Sequence, residues 1–187
     1  MHSRVFKVCL LPSSDRDDGD ITELIEIAKE NNTISPDDYF EHWFTTSHAD
    51  YVDDDPNPSE SLKWLFSDLS CNQRPVETDE TKRTFILKEG FKESYFENKF
   101  LNFKSLLDQA KAVTLSDFIA DYRPIDLDMG FLMYRLKSAY LDDGGFYIDL
   151  ADEYDGVESE LIPLDTFLRR AEIGKTYYVV GSIDYHF

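Results

Sequence analysis

Apolar residues recur along this chain with two different spacings, and each spacing places elements. Arg4–Leu11 alternates weakly, is rich in Val, Phe and Leu, and ends at Pro12, so it reads as a strand. Ile21, Leu24, Ile25 and Ala28 form one helical stripe over Ile21–Asn31, opened by the capping-box-like run Asp20-Ile-Thr-Glu23. Ser35-Pro36-Asp37-Asp38 predicts a second helix start, with Ser as cap, Pro at the first helical position and acids in the first turn; its apolar face is Tyr39, Phe40, Trp43 and Phe44. A third helix starts at Ser59 or Ser61, with Leu62, Leu65, Phe66 and Leu69 facing inward.

Thr84–Leu87 reads as a short strand. Phe91, Tyr95, Phe96, Phe100, Phe103, Leu106 and Leu107 recur at three- and four-residue steps, predicting a helix over Glu93–Ala112 whose aromatic stripe is core. Thr114-Leu-Ser-Asp117 starts another helix, carrying Leu115, Phe118 and Ile119, and Met129–Tyr140 is a further helical pattern. Asp142-Asp143-Gly144-Gly145 is a turn, Phe146–Leu150 a strand, Thr166–Glu172 a short helix, and Lys175–Phe187 a long strand. In that last strand Val179, Ile183, Tyr185 and Phe187 are expected on one face, with Gly181 marking a bulge. The predicted class is α+β, helix-rich, with a small, mostly antiparallel sheet. Ser70–Lys82 is polar, contains Pro75 and has no periodicity. It divides the 187 residues into an N-terminal lobe (1–72, a strand and three helices), a linker (73–82) and a C-terminal α+β lobe (83–187).

Charge changes this picture most. There are 38 Asp+Glu against 19 Lys+Arg, a net of −19. A chain this acidic with few aromatics would be disordered. With 14 Phe, 11 Tyr and 2 Trp this one can bury a core and carry a negative surface. The charge is −11 over residues 1–70, +1 over 71–112 and −9 over 113–187, so two acidic blocks flank a near-neutral middle. Such a surface repels nucleic acid and anionic membrane and attracts basic proteins. Cys9 and Cys71 form no CxxC or Cys/His cluster. The apolar run Val8–Leu11 is too short for a signal sequence or a membrane span, which predicts a cytoplasmic protein.

No catalytic signature survives inspection. The run Asp15–Glu26 resembles a calcium loop, but with Gly19 at the sixth position Arg16 occupies a ligand position and Ile25 replaces the closing Glu. His42 and His48 lie near Asp50 and Asp53–Asp55 without the spacing of a helical metal pair. Ser182, Asp184 and His186 have the residue types of a hydrolytic triad. Residues two apart on a strand stand too far from one another for a relay, so the pattern reads as polar alternation opposite a buried face. Asp126-Leu-Asp128 could serve a metal-dependent enzyme, the second class considered, but no further ligands accompany it. Lys92, Lys99 and Lys104 interleave the aromatic stripe, a pattern also compatible with base stacking that the net charge opposes. No catalytic residue, cofactor or metal is therefore assigned.

In composition the chain is similar to small acidic inhibitors that imitate nucleic acid, such as antirestriction and anti-CRISPR proteins of phages and mobile elements. It is equally similar to acidic immunity proteins that plug nuclease toxins. No motif carries the similarity, so no residue role transfers. A compact chain of this length spans roughly 40 Å, and duplex DNA of that length carries on the order of 24 phosphate charges. The net of −19 is of the same order. The expected function is that of a non-enzymatic acidic protein that occupies a basic, nucleic-acid-binding surface of a partner protein; the alternative is an immunity-type or scaffold protein without mimicry. The acids without a helix-capping role are the candidate contacts: Asp53, Asp54, Asp55, Asp142, Asp143, Asp152, Glu153 and Asp155. Each would accept a charge-assisted hydrogen bond from a partner Arg or Lys.

Overall fold

Phe6 and Val8 alternate with Val5 and Cys9 along the first strand, and all four are buried. A strand buried on both faces must be central, because successive side chains point to opposite sides. In the computed structural model this strand, β1 (His2–Leu10), indeed lies inside a seven-stranded sheet. The structure describes residues 2–12, 18–32, 34–35, 39, 48–53, 60–119, 129–141, 145–151 and 160–186. The other strands are β2 (His48–Asp53), β3 (Val76–Asp79), β4 (Thr84–Leu87), β5 (Phe146–Ala151), β6 (Glu160–Pro163) and β7 (Thr176–His186). The described helices are α1 (Asp18–Asn31), α2 (Glu60–Ser70), α3 (Phe91–Lys111), α4 (Leu115–Ile119), α5 (Met129–Tyr140) and α6 (Leu164–Arg170).

The strand order is β3-β4-β7-β1-β5-β6, and β2 pairs with β7. Among the described residues only the β1–β5 pair is parallel. The class is thus α+β and the sheet mostly antiparallel, but seven strands do not make it small. Along one edge β7 pairs first with β4, over Thr176–Tyr178, and then with β2, over Ser182–His186. Residues 1–72 and 83–187 contribute strands to this one sheet, and β3 lies within residues 73–82. The helix predicted from Ser35 to Phe44 falls mostly outside the described residues, as do 142–144 of the predicted turn. No helix among the described residues is long and apolar enough to cross a membrane.

One face of the sheet packs Phe6, Val8, Phe85, Leu87, Ile148, Tyr177 and Val179 against Leu62, Leu65, Phe66 and Leu69 of α2, Phe91 and Tyr95 of α3, and Phe167 and Leu168 of α6. The opposite face carries two clusters. Val5, Ile183 and Tyr185 meet Ile34 and Tyr39, while Cys9, Tyr178 and Val180 meet Ala28, with Ile21, Leu24 and Ile25 of α1 packed against them.

The expected common face of β7 is split. Lys7 pairs with Gly181 but Val8 with Val179, so Val180 is an extra residue and the register shifts there. The bulge turns odd-numbered residues from the first face to the second: Tyr177 and Val179 lie in the first cluster, Ile183 and Tyr185 in the other. Beside the bulge, Arg83 (φ 55°) is held in the left-handed region. Its Nε donates to the Val179 carbonyl at 2.9 Å, and the Val179 amide donates back to the Arg83 carbonyl at 2.8 Å.

Burial pushes the hydroxyls of Tyr177, Tyr178 and Tyr185 above the ordinary tyrosine value of 10.0. For Tyr185 burial is the largest cause, and the neighbouring Tyr147 adds to it. The folded state therefore keeps these protons to higher pH than the unfolded chain. Stability from this source is fully present below about pH 10 and falls as pH rises beyond it, by at most about 1.4 kcal/mol per pH unit for each tyrosine. Urea midpoints measured between about pH 8 and pH 12 should be flat and then fall, and Tyr185→Phe should make the fall shallower. Superimposable curves for wild type and Tyr185→Phe would contradict this assignment.

Candidate functional site

The acids singled out from the sequence are placed in part. Asp53 is the last residue of β2, in register with Ser182 of β7, and so belongs to a strand rather than to a loop. Asp54, Asp55, Asp142, Asp143, Asp152, Glu153 and Asp155 lie outside the described residues. So do His42, Asp126, Asp128 and residues 15–17 of the calcium-like run. Among the described residues no group of three or more His, Cys, Asp or Glu could hold a metal ion.

Ser182 and Asp184 follow the bulge on the face covered by α2, so they do not alternate outward as expected. Ser182 is 1% exposed. Asp184 accepts from Arg4 Nη2 at 2.9 Å, and the Arg4 guanidinium lies 3.7 Å from the centre of the Trp64 ring. With Glu60 and Ser61 these residues line a polar cavity of 310 Å³. Asp184 is thus committed to an ion pair, and a buried serine cannot meet a substrate.

Among the described residues two carboxylates are buried, and both are held by a tyrosine and a lysine. Asp149 accepts from Tyr39 Oη at 2.6 Å, with Lys7 Nζ 3.9 Å away. Asp165, 1% exposed, accepts from Tyr95 Oη at 2.9 Å and from Lys99 Nζ at 2.6 Å. A buried charge needs such partners, so these acids read as structural.

The aromatic stripe of α3 is not core throughout. Phe91, Tyr95 and Leu106 are buried, whereas Phe96 and Phe103 are half-buried and Phe100 is 60% exposed. A helix of 21 residues is about 31 Å long, and the sheet covers only its first turns. Beyond them α3 runs against α5. The junction is an open cleft of 250 Å³ between Phe96, Lys99, Phe100 and Phe103 of α3, Ala139 and Tyr140 at the end of α5, and Arg169 in the last turn of α6. The spacing of the α3 residues brings all four to one helix face.

Arg169 organises the cleft. Its guanidinium lies over the rings of Phe96 at 4.9 Å and Tyr140 at 4.7 Å, and its Nη2 donates to the Tyr140 carbonyl at 2.6 Å. That carbonyl belongs to the C-terminal turn of α5, where helix acceptors lack an internal partner. Lys92 Nζ in turn donates to the Arg169 carbonyl at 2.8 Å. The sequence pattern pointed to α3 but not to Arg169 or Tyr140. The one local signal was the pair Arg169-Arg170, two of only six bases in the acidic segment 113–187.

Leu115, Phe118 and Ile119 of α4 are also exposed, as are Met133 and Tyr134 of α5. The α4 start is a reciprocal cap, with the Asp117 amide on Thr114 Oγ1 at 3.1 Å and the Thr114 amide on Asp117 Oδ2 at 2.9 Å. The chain matches no protein-family model, no curated protein and no solved structure.

Proposed function

We propose that this chain is a non-enzymatic acidic binding protein that occupies a basic, nucleic-acid-binding surface of a partner protein. The observation that supports this reading is the inward use of its bases. Arg4, Lys7 and Lys99 are within ion-pairing distance of Asp184, Asp149 and Asp165. Arg74, Arg83 and Lys92 donate to the backbone carbonyls of Asp68, Val179 and Arg169. Bases that serve the fold in this way are held close to it, and a net of −19 is left to act on the surroundings.

The test is kinetic. A partner is captured on the immobilised protein and identified, and its association rate is measured over a salt series. The wild-type rate should fall steeply as the Debye length shrinks from about 10 Å at 0.1 M salt to about 3 Å at 1 M. Asp53→Lys/Asp54→Lys/Asp55→Lys should slow association about tenfold or more at low salt. Equal rates for wild type and variant at every salt would remove this cluster from the contact surface. The protein itself should give no mobility shift with duplex DNA at low salt, where electrostatic affinity is greatest; a clear shift would overturn the reading.

A further inference from the structure

We propose that the cleft between α3, α5 and α6 binds a small single-ring carboxylate, with its ring against Phe96, Phe100 and Phe103 and its carboxylate on the guanidinium of Arg169.

Size sets the first limit. The cleft holds 250 Å³, just under the roughly 300–1,000 Å³ of pockets for drug-sized ligands. One ring with a short acid arm fits that volume. The walls set the second limit. Three phenylalanine rings and Tyr140 converge on the cleft, and Phe100 leaves most of its surface in water. Covering it with a ring removes apolar area from solvent and offers edge or stacking contacts.

Arg169 sets the sign of the ligand. The chain has two acids for every base, yet among the described residues no carboxylate lies within ion-pairing distance of Arg169. One of its five N–H donors reaches Tyr140, and the others have no protein acceptor among the described residues. The second cation on the wall, Lys99, is already matched by Asp165 at 2.6 Å. Among the described residues, then, the Arg169 guanidinium is the cation at the cleft with no carboxylate against it. The Phe96 and Tyr140 rings hold the guanidinium in place before any ligand arrives, so little side-chain freedom remains to be lost on binding.

The experiment is a titration of the isotope-labelled full chain by NMR, using phenylacetate, 2-phenylethanol, 2-phenylethylamine and acetate as probes. Phenylacetate should shift the amides of Phe100, Phe103 and Tyr140 and the Arg169 Nε–H, with a Kd on the order of millimolar for a ligand of about ten non-hydrogen atoms. The alcohol should bind about tenfold or more weakly, because it cannot form the charge-assisted bond. The amine and acetate should leave these signals unmoved.

Arg169→Gln should bring acid and alcohol to similar affinity. Phe100→Glu, at an exposed helical position, should abolish phenylacetate binding with the melting temperature unchanged, and it decides the matter if Arg169→Gln fails to fold. Equal affinity for acid and alcohol in the wild type would reduce the cleft to an apolar patch. The same shifts with acetate would reveal an adventitious anion only. An unchanged response in Phe100→Glu, or no response to phenylacetate at about 20 mM, would overturn the assignment.

Discussion

Replacing Phe85 by alanine should cost about 3–5 kcal/mol of folding stability. Phe85 is 1% exposed and joins four elements through its ring contacts. It stacks on Tyr177 of β7 at 5.2 Å and meets Phe66 of α2 and Phe167 of α6 edge-on, each at 6.3 Å. Phe167 and Tyr177 also meet edge-on at 5.3 Å, so the ring has three aromatic neighbours that cannot all collapse into its place. The cost is the lost transfer energy plus that of the cavity left behind. For a domain with about 5–15 kcal/mol in total, this removes a large share of stability. At roughly 2–4 °C per kcal/mol for this size, the melting temperature should drop by roughly 6–20 °C. Phe100→Ala is the matched control, since its ring lies largely in water and should change stability by about 0.5 kcal/mol or less. If the two variants melt together, the four-ring cluster is not a core.

The second large effect is an asymmetry around Asp165. Lys99→Met should cost about 3–5 kcal/mol, because among the described residues it leaves a buried carboxylate facing only the Tyr95 hydroxyl. Asp165→Asn should cost less, about 1–3 kcal/mol. There the ammonium of Lys99, whose side chain is 32% exposed, can turn to water, and the amide oxygen still accepts from Tyr95. Urea unfolding of both single variants and the double variant measures the coupling directly. A larger loss for Asp165→Asn than for Lys99→Met would show that the carboxylate, not its counterion, limits stability here.

The helices and central strands could be read from the sequence because their signals are local. The stripe Leu62, Leu65, Phe66, Leu69 is the buried face of α2, and the Met129–Tyr140 pattern is α5 from end to end. The reciprocal Thr114–Asp117 cap was likewise visible in four residues. The edge of the sheet was not. β3 (Val76–Asp79) holds Glu77 and Thr78 exposed and joins the sheet through backbone hydrogen bonds to β4, which leave no apolar period. β2 (His48–Asp53) ends in the acidic run that reads as a loop.

The bulge was signalled by Gly181, but its consequence for the two faces of β7 depends on the pairing with β1, more than 170 residues away in the chain. The cleft lay half in view. Its α3 wall is a regular stripe, and the same regularity argued for burial. Only the meeting of α3 with α5 and α6 exposes Phe100 and brings Arg169 to Phe96. The acids named from charge alone fall almost wholly outside the described residues.

The strands at the middle of the sheet also govern when the fold can form. β1 is flanked by β7 and β5, and its ladder with β7 joins residues more than 160 positions apart in the chain. At about 5–20 residues per second, ribosomal synthesis leaves β1 without that neighbour for roughly ten to thirty seconds. Meanwhile Val5, Phe6, Val8 and Cys9, which end with no water contact or almost none, have no sheet to enter. Contacts this distant also make closure of the sheet slow once both strands are present. Until β7 has been made, this apolar segment is open to transient collapse onto other parts of the chain or to capture by a chaperone.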